Sequence, residues 1–263
     1  MYKKDLKVLL DKLYLKYSKK HSSKDPVWTI HKFSDPKDIE IAGLITSCYA
    51  YGRVEQINQF TDKFFSRTGF KVHEFTSNYS EHKDKKFLKD LYYRFNNEND
   101  LSLLIKNIKN SLDLYGSLEN LFKQNYSDTH ENILPALSEF SRTLSIHNKK
   151  DSNYNYLLPS PVNNSACKRL NLYLRWMIRK DEIDTGIWSG SFDKSKLIMP
   201  VDTHIYRVSK YLGLVSRNSC DLKFAIELTN ELKKFDSSDP VKYDFALCHL
   251  GIDGESEKIK NYH

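Results

Sequence analysis

Glycine and proline are scarce in this chain of 263 residues, nine of one and seven of the other. Turn-rich β architecture draws on both, so their scarcity points to helices. Cysteine is sparse too. Cys48, Cys167, Cys220 and Cys248 are far apart and make no C-x-x-C pair. That spacing argues against a zinc site or an iron–sulfur cluster built from neighbouring cysteines, and it fits a reducing compartment. A cytoplasmic protein is expected. No apolar run approaches the roughly 18 residues that a spanning helix requires. No signal-peptide core follows the N-terminal lysines. A membrane partner is therefore not expected.

What is present is enough apolar material for a core. Hydrophobic residues make up 40% of the chain and aromatics 13%, which argues against disorder. The length suits one domain or two closely packed lobes. Lysine and arginine number 41 against 34 aspartates and glutamates, a net charge of +7. A basic chain suits a polyanion, nucleic acid before an acidic membrane.

Hydrophobic spacing reads as helical almost throughout. Leu6, Leu9, Leu10 and Leu13 form one amphipathic stripe. The segment 38–65 is periodic, with a turn at Tyr51-Gly52-Arg53. Asp100 is expected to cap a helix ending near Gly116, and further helices are expected over 117–123 and 133–144. Segment 148–155 reads as a loop. Pro159, Pro161, Asn163 and Asn164 mark a tight connection into a helix over 165–179. Segment 181–196 is the one long irregular stretch, and such stretches often serve function. Asp202 is expected to start a helix that Gly213 ends, and Asp221 to cap another reaching Phe235. Asp239-Pro240 is expected to open a last helix closed by Gly251.

On the 165–179 helix, Leu170, Tyr173, Leu174, Met177 and Ile178 share one face. At about 100° per residue Lys168, Arg175 and Arg179 fall on the other, a basic stripe suited to phosphates or simply to water. Asp202 reads first as an N-cap. An Asp-x-His pair with His204 is a weak metal signal, so no metal and no cofactor are expected.

The run Val201-Asp202-Thr203-His204-Ile205-Tyr206-Arg207-Val208 resembles the aspartate segment of the helix-hairpin-helix DNA glycosylases. In endonuclease III and its relatives that segment carries the catalytic carboxylate. The resemblance implies an all-α fold of two helical lobes about a DNA-binding cleft. One lobe would hold 1–40 and 201–263. The other would hold 41–200, with a hairpin-like segment over 158–180. It also implies a nucleophilic lysine upstream, and Lys168 is the candidate, 34 residues before Asp202. That separation is similar to the archaeal 8-oxoguanine glycosylase group, with 181–196 as the insert. The family hairpin L-P-G-V-G-x-K is replaced here by Leu158-Pro159-Ser160-Pro161-Val162-Asn163-Asn164. The glycines are missing, and Asn163 and Asn164 would take the left-handed turn. The whole chain also looks like the bacterial DUF2400 family, through Phe33-Ser34-Asp35-Pro36, Ala50-Tyr51-Gly52-Arg53-Val54 and the segment 239–247.

The chemistry explains those residue types. Breaking an N-glycosidic bond builds positive charge on the sugar, which a carboxylate stabilises. A neutral amine attacks C1′ and gives a Schiff base. Lys168 is expected to be shielded from water. The resemblance places Tyr51 and Arg53, with Asn163, Asn164, Arg169, Arg175 and Arg207, on DNA. It places Tyr49, Asp244 and Cys248 at the everted base. Trp28, Trp176 and Trp188 are further stacking candidates. The expected partner is duplex DNA with a damaged base, an oxidised purine such as 8-oxoguanine, bound by a monomer. A non-catalytic nucleic-acid-binding module on the same fold is the alternative. A structural protein whose basic faces serve only solubility is a third possibility.

Overall fold

The computed structural model describes residues 3–18, 25–148 and 153–254. The described residues form fourteen α-helices: α1 (Lys3–Ser18), α2 (Val27–Ile30), α3 (Pro36–Cys48), α4 (Val54–Arg67), α5 (Val72–Ser77), α6 (Glu81–Asp84), α7 (Glu98–Tyr115), α8 (Leu118–Lys123), α9 (Leu134–Thr143), α10 (Tyr154–Leu157), α11 (Lys168–Ile178), α12 (Thr203–Tyr211), α13 (Leu222–Lys233) and α14 (Asp244–Ile252). Three short 3₁₀ turns join them, and no strand occurs among the described residues beyond isolated bridges. The fold is all-α.

Local chemistry sets the helix ends. The Asp35 side chain accepts the Lys37 N–H at 2.9 Å, with Pro36 in the first turn. Asn97 and Asp100 form a capping box at the start of α7. Asp100 is thus the reciprocal partner three residues into the helix, while Asn97 is the cap. Gly116 ends that helix at φ +80°, a conformation that costs glycine little. Ser117, Asp202 and Asp221 cap α8, α12 and α13.

The last helix departs from expectation at both ends. It begins at Asp244, five residues after Asp239, because 239–243 form a turn whose Asp239 carboxylate is drawn to Arg179. Gly251 lies inside the helix. A Cβ there would stand 2.9 Å from His204 Cβ and 3.2 Å from Val208 Cγ2. The glycine lets α14 pack directly against α12.

Helix α3 is the centre of the core, with every residue from Ile39 to Cys48 buried. It packs along α11, with α5 and α2 against it, while α7, α8 and α9 continue the layer. Helix α14 packs on both α1 and α12. Glu40 is buried on α3. It accepts the N–H groups of Leu118 and Glu119, at 3.1 and 2.9 Å, and the Trp188 indole N–H at 3.1 Å. Burial pushes its carboxyl upward, and these hydrogen bonds pull against that shift. One carboxylate thus starts α8 and anchors the 181–196 segment to α3.

Candidate functional site

Helices α11 and α12 both begin at the mouth of a cavity of about 1090 Å³. Its walls come from the α3–α4 turn, the approach to α11, the start of α12, Asp25 and α14. Lys168 is the first residue of α11 and follows Cys167, which is left-handed at φ +47°. Asp202 precedes α12. Its Oδ1 accepts the backbone N–H groups of His204 and Ile205, at 2.9 and 3.0 Å. Its Oδ2 stands 3.4 Å from Lys168 Nζ. The same amine donates to the Ala50 carbonyl at 3.4 Å. Capping therefore orients Asp202 and leaves one oxygen for the lysine.

The amine is not shielded as expected. The Lys168 side chain keeps 31% of its exposure and Asp202 keeps 19%, because the cavity opens to solvent beside them.

Deeper along α11 the residues Leu172, Arg175 and Trp176 continue the Lys168 face into the cavity. Arg175 is buried and bound to Asp184 at 3.0 Å and to Asp244. Arg179 is buried among Asp239 and Asp181, each at 2.9 Å, and Asp184. The expected basic stripe therefore does not exist as an open surface, and Arg175 is no free phosphate ligand. Helical spacing gave the direction of these side chains correctly. It carried no information on what covers them, which is the 181–196 segment folding back with Asp181 and Asp184.

Asp244 is buried at the cavity wall. Burial raises its carboxyl to about 6, Arg175 works against that rise, and Asp202 adds to it. Cys248, one turn further along α14, also lines the cavity. Burial lifts its thiol well above the ordinary range, with Asp202 and Asp244 reinforcing the shift. An inert thiol results, rather than a thiolate. Another acid–base pair lies on the same wall, His249 Nε2 at 3.5 Å from Asp25 Oδ2. Burial raises the Asp25 carboxyl, but His249, the Val27 N–H and Arg175 outweigh it and hold it low.

Other expected site residues divide. Tyr51, Arg53 and Asn164 line the cavity. Asn164 takes the left-handed turn at φ +57°, while Asn163 lies in a 3₁₀ turn. Asn163 and Arg207 are exposed but outside the cavity lining. Tyr49 is a correction. It is fully buried, with its ring 4.3 Å from Phe60, and cannot meet a base. The final turn of α3 carries it inward, away from its neighbour Tyr51. Arg169 is a second correction. It is buried, donates to the Tyr156 carbonyl, and lies over the Tyr51 and Tyr156 rings at 5.2 and 4.2 Å. It organises the rim instead of reaching a phosphate. Trp188 is buried in the core; Trp176 lines the cavity floor and Trp28 lies outside its lining. Sequence reasoning missed Asp25, Tyr156 and His249. Nothing in the spacing of residues so distant along the chain marks them as neighbours.

Among the described residues no group of three or more metal-ligating side chains occurs, and no helix is long and apolar enough to cross a membrane. Residues 25–253 match the family model described as protein of unknown function (DUF2400), and the chain belongs to that family. No curated protein and no solved structure matches it.

Proposed function

We propose that the protein is a DNA base-excision glycosylase with lyase activity, in which Lys168 is the nucleophile and Asp202 its carboxylate partner. One observation carries the reading. An amine and a carboxylate, 34 residues apart in sequence, stand 3.4 Å apart at the mouth of an open cavity. The cavity volume matches the upper range of small-ligand sites, enough for an everted nucleotide. The resemblance of 201–208 to the glycosylase aspartate segment supplies the reaction.

In that reaction Lys168 Nζ, as the neutral amine, attacks C1′. The N-glycosidic bond breaks, and the base leaves with the bonding pair and takes up a proton. Asp202 stabilises the positive charge that develops on the sugar. Opening of the ring at O4′ gives a Schiff base. Loss of a C2′ proton then expels the 3′-phosphate with its bonding electrons. Asp244 at the wall accepts N–H groups of an oxidised purine such as 8-oxoguanine, and Tyr51, Arg53 and Asn164 hold the surrounding strand.

Borohydride trapping on a panel of duplexes, each with one lesion, tests the proposal. Wild-type protein should give a covalent complex, and Lys168→Gln should give none. Equal trapping by the variant removes Lys168 from the role. The alternative, a non-catalytic DNA-binding module, takes Asp202 as a helix cap and nothing more. It predicts salt-sensitive binding without base release, and indifference to Asp202→Asn.

A further inference from the structure

A second feature lies at the rim of the cavity and takes no part in that chemistry. Residues 93–96 form a two-residue turn closed by Tyr93 N–H to Asn96 O at 2.7 Å and Asn96 N–H to Tyr93 O at 3.0 Å. Its tip residues, Arg94 and Phe95, are both exposed. Arg94 is held left-handed at φ +57°.

The turn is rigidly built from below. Asn96 is buried and accepts the Tyr51 hydroxyl at 2.6 Å. Its amide donates to Asp100 and to the Asn153 carbonyl, at 3.1 and 3.0 Å. Asn153 in turn donates to the Phe95 carbonyl at 2.8 Å. The Tyr93 hydroxyl donates to the Tyr51 carbonyl. Gly52 leaves room for Arg94, since a Cβ there would meet its guanidinium at 2.9 Å.

Above this base stands a group of rings. Tyr51 stacks on Phe95, with centroids 5.5 Å apart and planes 24° apart. Phe95 meets Tyr156 edge to face at 4.7 Å. Phe95 is 43% exposed and Tyr156 is 46% exposed. Arg94 lies 5.8 Å from the Tyr51 ring, and Arg169 sits over both tyrosines. Large aromatic faces fixed in water by a buried hydrogen-bond network are costly to the free protein. They are suited to a flat partner whose binding requires no further ordering.

We infer that Phe95 and Tyr156, whose rings stand nearly perpendicular, form a corner for an unpaired nucleobase of single-stranded DNA, which stacks on one ring and meets the other edge-on. Exposed Arg53 and Arg94 beside it meet the phosphates of the same strand. Aromatic stacking needs an open base face, which a duplex hides, and arginine flanks suit a polyanion. The corner comes from a different chain segment than Lys168 and Asp202. It rests on nucleic acid being the partner and not on the chemistry at the lysine.

The test separates the two readings by working in a Lys168→Gln background, where no covalent step occurs. Fluorescence anisotropy would follow labelled oligodeoxythymidine, alone and in duplex with oligodeoxyadenosine. Phe95→Ala and Tyr156→Ala should each weaken single-strand binding about tenfold, the order of one lost base stack, and duplex binding by less than about twofold. Phe95→Trp should retain single-strand affinity. The inference is overturned if both alanine variants bind the single strand like the parent. It is equally overturned if the loss is the same on the duplex, or if the parent binds no single strand. Thermal melts check the fold. Should an alanine variant melt early, Phe95→Leu, which keeps bulk and loses the π face, takes its place with the same expectations. Failure of the borohydride experiment leaves this result standing, and the reverse holds too.

Discussion

Helix α11 carries positive charge at both ends, and the two ends are treated in opposite ways. At the first residue Lys168 meets one carboxylate at 3.4 Å and stays partly open to water. Two and three turns further on, Arg175 and Arg179 are closed off from solvent and bound by Asp181, Asp184, Asp239 and Asp244. Buried charges persist only when every partner is in place. Lys168, by contrast, stays within reach of whatever enters the cavity. The difference teaches that Arg175 and Arg179 are fixed by the acids around them while Lys168, with one carboxylate, stays open. Arg169 beside it is also buried, but a carbonyl and two aromatic rings hold it instead of acids.

Breaking the buried end should cost most. Arg179→Met would take one cation from Asp181, Asp184 and Asp239 together and leave Arg175 as the buried partner of Asp184, and urea unfolding should show a loss of about 3–5 kcal/mol. Lys168→Met should change stability by about 1 kcal/mol or less, as expected of a partly exposed pair. If the two variants unfold alike, the contrast between the ends is wrong. Next comes the packing that sets the mouth. Gly251→Ala would press a methyl group against His204 Cβ, and the same measurement should report a loss of about 1–3 kcal/mol.

Asp202 sharpens the comparison because it serves both a helix and the lysine. Asp202→Ala should lose about 1 kcal/mol with the N-cap, while Asp202→Ser should recover most of that loss, since serine also caps. Both variants should fail in borohydride trapping. Recovery of trapping by Asp202→Ser would show that only the cap matters.

The smallest effect concerns pH. Burial raises the Asp244 carboxyl to about 6, above its unfolded value of 3.8. The folded state therefore holds its proton more tightly. As pH climbs from about 4 to about 6, Asp244 should subtract progressively from stability. Asp244→Asn has no such proton. Wild type should lose ground to the variant across that window and run parallel to it above, in denaturant midpoints taken at each pH. A constant difference through the window would show that Asp244 does not titrate there.

Much of this was legible in the sequence, for local reasons. Helix periods, the Asp202 and Asp221 caps and the terminal Gly116 and Gly213 depend on residues within a few positions of one another. They were read to within a few residues. The start of α14 was misread because the pull of Arg179 on Asp239 spans 60 positions. Tyr49 and Tyr51 show the same limit within one turn of chain. Their spacing did not reveal that one ring enters the core and the other the rim. Lys168 and Asp202 were singled out through the 201–208 resemblance, not through periodicity. Asp25 and His249 had no such guide.

The Glu40 carboxylate has a consequence for how the molecule comes into being. It ties α3 to positions 118, 119 and 188, far along the chain. Contacts of such range close late and close together. A partial chain ending before Trp188 would leave that acid without its indole donor. Limited proteolysis should accordingly yield either intact protein or small peptides, with no surviving folded half.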